Sequence, residues 1–178
     1  MKNTLFIALF IIIYIASVSA QQPVPQKPRI LISTDIGGTD PDDNQSMAHF
    51  LMYSNEFDTE GIISSPSFGE GNKKEILRMI NLYEKDFPKL KKHIKKLATP
   101  DYLRSITKQG RKGAAPYCGF TSATEGSEWI IKCARHKSKR PLWVLVWGGL
   151  EDIAQALHDA PDIQNKLRIY WIGGPNKK

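Results

Sequence analysis

The chain has 178 residues with Lys+Arg 25 against Asp+Glu 18, a net charge of +7, and 41% hydrophobic and 24% charged residues. This is ordinary globular composition, and it excludes a disordered, collagen-like or repeat protein. Two cysteines, Cys118 and Cys133, are too few for a disulfide-stapled scaffold, so the fold must rest on hydrophobic burial whether or not they pair.

Met1-Lys2 precedes an apolar run from Leu5 to Ile15 and then the small residues Ala16-Ser17-Val18-Ser19-Ala20. The run is short for a bilayer crossing and its flanks suit a signal peptide, residues 1–20, cut before Gln21; a retained anchor is the alternative. Residues 21–27, with Pro23 and Pro25, read as an extended leader, and the folded domain is expected over 28–178. A secreted or periplasmic protein follows from that reading, with no membrane contact after cleavage.

Arg29 to Thr34 is a short apolar run without helical period, bounded by Pro28 and Gly37-Gly38, and predicts a buried strand. Met47, Phe50 and Leu51 predict a helix from Pro41 to about Asn55, with Asp40 as its cap and Pro41 at its first position. Thr59–Ser65 is a second strand and Lys73–Phe87 a second helix with Ile76, Met79, Ile80 and Tyr83 on one face. The basic run Lys89–Lys96 reads as a separate amphipathic surface helix, and Thr99–Thr124 as a long polar loop. A helix (Glu125–Ala134), a strand (Leu142–Trp147), a helix (Leu150–Leu157) and a strand (Leu167–Ile172) complete the alternation. Alternation of this kind predicts an α/β fold: an open, mostly parallel, doubly wound Rossmann-like sheet covered on both faces. Loops after Thr34, Ser65, Trp147 and Ile172 should then face one crevice beyond the carboxyl ends of the strands.

The first of these loops, Asp35-Ile36-Gly37-Gly38-Thr39-Asp40-Pro41-Asp42-Asp43, carries four carboxylates and no basic residue. Helix capping and the helix dipole account for Asp40, Asp42 and Asp43, but not for Asp35, which directly follows the strand. Carboxylates about 4 Å apart repel by roughly 4 kcal/mol at an effective dielectric near 20, so they either protonate or bind a cation. Oxygen-only ligands favour a hard ion, Ca²⁺ before Mg²⁺ when backbone carbonyls join. The spacing is not that of an EF-hand, and the loop lacks the glycines of a dinucleotide-binding turn.

The same loop resembles the Asp-x-Asp-x-x-x-Asp-Asp signature of the nucleoside hydrolase superfamily, with Ser33-Thr34-Asp35 and Asp42-Asp43 in the corresponding places. Trp147-Gly148-Gly149-Leu150-Glu151-Asp152-Ile153-Ala154-Gln155-Ala156-Leu157 and Arg168-Ile169-Tyr170-Trp171-Ile172-Gly173-Gly174 are similar to two further family segments. The wording is most similar to the nucleoside hydrolase-like domain of secreted, cellulose-binding bacterial proteins. The resemblance implies a Ca²⁺ that holds two sugar hydroxyls and a water, which attacks the anomeric carbon of an N-glycoside. It makes Asp35 metal ligand and general base, Asp43 a metal ligand, and Asp42 an acceptor for a sugar hydroxyl. Trp147 would offer a backbone carbonyl to the metal, and Asn72, Glu125 and Asn176 would contact substrate.

Three departures stand against a full family site. Ser33 replaces the first aspartate, the spacing from Asp35 to the acidic pair is longer, and Glu151-Asp152 replaces Thr-Asn. The family's last metal-ligand aspartate lies far downstream, so the sheet is expected to be incomplete at its C-terminus. The histidines are read as structural or solvated; His49 lies about 240° around its helix from Asp43. Trp143, Trp147 and Trp171 are assigned to the core, and Trp129 is the preferred tryptophan for a carbohydrate contact.

The leading expectation is therefore a hydrolase-like domain for N-glycosyl compounds, with a sugar-containing small molecule or polysaccharide as partner and no nucleic acid. A non-catalytic carbohydrate-binding module on the same scaffold is the alternative. An aspartyl phosphatase ranks third, because the Asp35 turn lacks the second aspartate that such enzymes carry.

Overall fold

The computed structural model describes residues 26–38, 41–67 and 70–172. The signal and leader segments, Thr39, Asp40 and Asn176 lie outside the described residues, except that Gln26 and Lys27 of the leader fall within them. Five strands form one sheet: β1 (Arg29–Thr34), β2 (Asp58–Ser64), β3 (Thr107–Gln109), β4 (Leu142–Val146) and β5 (Leu167–Trp171). Their order is β3-β2-β1-β4-β5, and every neighbouring pair is parallel. The order reverses at β1, which places the topological switch point between β1 and β4.

All six residues of β1 are buried, as the central strand of a sheet covered on both faces requires. Ile30 and Ile32 join Met47, Phe50 and Leu51 of α1 (Asp42–Met52) and Ile76 and Ile80 of α2 (Lys73–His93) in one core layer. Leu31 faces the other layer, with Ile130 and Cys133 of α4 (Glu125–Arg135) and Ile153 and Ala156 of α5 (Glu151–Asp159). Successive β1 residues therefore serve opposite cores. Among the described residues no helix is long and apolar enough to cross a membrane.

Several local expectations change. Pro41 is the capping residue of α1 rather than its first helical residue, and no side chain caps that end. The helix stops at Met52, followed by a 3₁₀ turn over Ser54–Glu56. The basic run is not a separate helix, because α2 continues through Pro88 to His93. Proline removes one helical hydrogen bond, but Phe87 and Leu90 on either side of it pack against the core and hold the helix on course.

The supposed loop contains α3 (Pro100–Ser105), capped by the Thr99 hydroxyl, and the edge strand β3. β3 has only three residues, too few for a visible alternation. Trp143 and Trp171 are not core residues: they are 39% and 53% exposed, because β5 is the sheet edge among the described residues. Cys118 and Cys133 are both free, the first exposed and the second buried. Burial, reinforced by Glu60, pushes the Cys133 thiol up to about 12.

Candidate functional site

Asp35 is the first residue beyond β1, and the switch point brings two other loops against it. The ladder runs one residue past the strands on both sides: Ser65 N–H donates to the Thr34 carbonyl at 2.8 Å and Trp147 N–H to the Ser33 carbonyl at 2.8 Å. The Ser67 hydroxyl, from the loop after β2, donates to Asp35 Oδ2. From the loop after β4, the Gly148 backbone lies so close that an added Cβ would sit 2.5 Å from Asp35 Cγ. Gly149 is tighter still, since a Cβ there would fall 1.7 Å from the Pro66 carbonyl oxygen. A side chain at Gly148 would displace Asp35 and one at Gly149 would drive the β2 and β4 loops apart, so the glycine pair is what lets the loops close around Asp35.

Asp43, in the first turn of α1, is 6% exposed and comes within hydrogen-bonding reach of Asp35. Thr34 links strand and helix: its hydroxyl donates to Asp43 Oδ2 and accepts the Ile36 N–H at 3.1 Å. Desolvation pushes the Asp43 carboxyl up to about 7; the Thr34 hydrogen bond opposes this, while Asp35 and Asp42 raise it further. Without a cation the pair therefore retains a proton near neutrality. Ser33, Ser64 and Ser65, at the carboxyl ends of β1 and β2, carry buried hydroxyls with no hydrogen-bond partner among the described residues.

The other sequence-derived residues fall into different places. Asp42 is exposed at the start of α1 and its Oδ1 accepts the Asp43 N–H at 2.8 Å. Asn72 caps α2, accepting the Lys74 N–H at 3.1 Å, and borders the acidic loop: a Cβ on Gly37 would lie 3.4 Å from Asn72 Cβ. Trp147 stands next to Gly148 with its side chain packed partly against the core. Glu125 instead ties structure together, accepting the Gln109 N–H at 2.9 Å and facing Lys73 at 3.3 Å and Lys108 at 3.6 Å. Burial would raise its carboxyl, but the Gln109 N–H and the two lysines outweigh that and hold it below the usual range.

Trp129 is not an open sugar platform. Its indole N–H donates to the Glu60 carbonyl at 2.9 Å, and the Lys108 and Lys132 ammoniums sit 4.2 and 4.3 Å from its ring centre. Asp152 was visible in the sequence only as a departure from a pattern. It is fully buried at the start of α5, where it accepts the Arg111 N–H (3.1 and 3.0 Å) and the Thr124 hydroxyl. One turn on, Gln155 Oε1 accepts the Thr121 N–H at 2.8 Å. These two side chains pin the segment between β3 and α4 over the sheet. An acid and an amide one turn apart on an otherwise apolar helix face were the available signal.

Residues 29–178 match the family described as cellulose-binding Sde182, nucleoside hydrolase-like domain. The chain belongs to this family. No curated protein matches it significantly. Among solved structures, a nucleoside hydrolase-related protein from Saccharophagus degradans, associated with carbohydrate metabolism, is 34% identical with a TM-score of 0.72. The match covers 82% of this chain and 38% of that one. The inosine-uridine preferring nucleoside hydrolase from Bacillus anthracis is similar in fold, with 19% identity, a TM-score of 0.52, and coverage of 84% of this chain and 52% of that one. The chain thus spans between about a third and a half of these relatives' length. The family's fold is the parallel α/β sheet described above.

The donor chemistry at Asp35 and Asp43 suits a hard divalent ion: two adjacent carboxylates, one of them desolvated enough to hold a proton. They are two ligands of the six to eight that calcium takes. Among the described residues no group of three or more acidic, histidine or cysteine side chains gathers around one point.

Proposed function

We propose that this domain binds a sugar-containing ligand in the crevice at the carboxyl end of β1 and β4 and that, in the complete protein, it hydrolyses N-glycosyl compounds. The observation that carries this reading is the pairing of half-buried Asp35 with buried Asp43 at the switch point, the place where open α/β sheets bind ligands. Asp35 and Asp43 would hold Ca²⁺, with the Trp147 carbonyl as a further ligand. When bound, the ion would supply charge compensation for the pair and a fixed point for sugar hydroxyls and a water.

The chain's own groups would do the rest. Asp35, oriented by the Ser67 hydroxyl, takes a proton from the attacking water. Until that proton is transferred, the negative charge of Asp35 stabilises the positive charge that develops on the sugar as the glycosidic bond breaks. Thr34 fixes the Asp43 carboxylate, and exposed Asp42 at the rim accepts a sugar hydroxyl. Asn72 and Asn176 are proposed as further sugar contacts, whereas Glu125 is better explained by its bonds to β3 and the lysines.

A second reading, a non-catalytic carbohydrate-binding domain acting on cellulose, has its own support. The family description is cellulose-binding, and Asp152 is spent on holding a loop rather than facing the crevice. Export to the periplasm or medium belongs to either reading and predicts a mature protein beginning at Gln21.

Calorimetric titration of the full chain with CaCl₂, with Asp35→Asn and Asp43→Asn as controls, tests the site directly. Saturable binding abolished by both substitutions is expected of this chain, and release of hypoxanthine from inosine, eliminated by the same substitutions, of the complete protein. Binding to cellulose with neither calcium uptake nor hydrolysis would replace the enzymatic reading with the second one.

A further inference from the structure

The opposite, amino-terminal end of the sheet carries a second concavity, an open pocket of about 630 Å³. Its lining comes from the segments that lead into β1, β2, β3 and β4 and from the end of α4, so it is separated from Asp35 by the length of the strands. The volume is within the range of small-molecule sites, roughly 300–1,000 Å³. Tyr102 and Phe57 supply aromatic surface, while Lys27, Lys96, Lys132 and Arg140 supply positive charge.

The two carboxylates of this pocket are already committed. Glu60 forms a bidentate pair with buried Arg29 at 2.6 and 2.8 Å, and Asp58 accepts from Arg140 at 2.6 Å. Among the described residues Lys27, Lys96 and Lys132 form no ion pair. The negative end of α4 and the Trp129 ring account for Lys132, which lies in the last turn of that helix. Neither explains Lys27, which precedes β1, or Lys96, in the turn after α2.

Two further observations point to a ligand. Thr59, a lining residue only 4% exposed, carries a buried hydroxyl without a hydrogen-bond partner among the described residues. Lys96 is the single non-glycine residue among those described with positive φ (63°), an unfavourable conformation for a lysine that carries its side chain to the pocket wall.

We propose that this basal pocket binds a small organic anion, a phosphate or carboxylate on a compact body that packs against the aromatic side chains. The lysines act as point charges on the anionic group. The test is calorimetry and thermal denaturation of the full chain with three probes: inorganic phosphate, glucuronate and uncharged glucose. At least one of the two anions should bind saturably and raise the melting temperature, whereas glucose should not; the stronger anion identifies the head group.

Lys96→Ala combined with Lys132→Ala should weaken that binding by about tenfold or more, and Asp35→Asn should leave it unchanged. Both lysines are exposed, so the double variant should fold normally. The proposal is overturned if neither anion saturates, if chloride at equal ionic strength reproduces the effect, or if the double variant binds as well as the parent.

Discussion

Two buried acidic sites lie in this sheet, and they handle charge in opposite ways. Asp152 is fully enclosed but accepts the Arg111 amide and the Thr124 hydroxyl, so its lone pairs are satisfied by neutral donors that are part of the fold. Asp43 is nearly as enclosed, yet its nearest polar neighbours are the Thr34 hydroxyl and another carboxylate, Asp35, and its own carboxyl is pushed up to about 7. A buried acid that the scaffold satisfies serves architecture. One left beside a second acid invites a cation or a proton, and that difference separates the two sites by role although burial does not.

The largest test removes the satisfied acid. Asp152→Ala should cost on the order of 3 kcal/mol, because it strips the Arg111 amide and the Thr124 hydroxyl of their acceptor. In a chain of this size that is about 6–12 °C in melting temperature, readable by calorimetry. Asp43→Asn should not lower stability in metal-free buffer; a comparable loss there would erase the contrast.

The second test uses pH. The folded protein holds a proton on Asp43 up to about pH 7, whereas the unfolded chain releases it near the ordinary value of 3.8. Between those limits the unfolded state binds fewer protons, so stability of the metal-free protein should fall as pH rises and level off above about 7. The full shift corresponds to roughly 4 kcal/mol, and solvent screening of the partly exposed pair reduces the expected span to about 2 kcal/mol. Urea unfolding at stepped pH in chelator should show this decline in the parent chain and a flatter curve in Asp43→Asn. An unchanged slope in the variant would mean that another group titrates.

The smallest effect on stability belongs to Gly148→Ala. Its methyl group would displace the Asp35 carboxylate, at a cost of about 1–2 kcal/mol. Its calcium affinity should fall more than its melting temperature implies, since the methyl group acts directly on one of the two proposed ligands. Equal losses in both would indicate a general packing defect.

Much of the fold was legible in the order of residues. The apolar run Arg29–Thr34, the periodicity of Ile76, Met79, Ile80 and Tyr83, and the strand at Leu142–Val146 are patterns set by which faces must be buried. β3 was not legible, because three residues leave no room for a pattern, and the continuation of α2 through Pro88 depended on Phe87 and Leu90 finding a core to pack against. The exposure of Trp143 and Trp171 was equally hidden: hydrophobicity identifies a strand, not its position in the sheet. For the site, Asp35 could be singled out because it follows a buried strand directly, but the part played by Asp152 lay in contacts more than 25 residues away in sequence, those to Arg111 and Thr124.

The sequence by itself determined the alternation of strands and helices, the acidic loop after the first strand and the glycine pair after the fourth, because each is dictated by local periodicity and backbone sterics. Only the tertiary structure decided which acids meet. The parallel order β3-β2-β1-β4-β5 brings the loops after β1, β2 and β4 to one point, and desolvation there sets Asp43 against Asp35 while neutral donors settle Asp152. Charge placement along a chain is local, but the energy of a charge depends on everything folded around it.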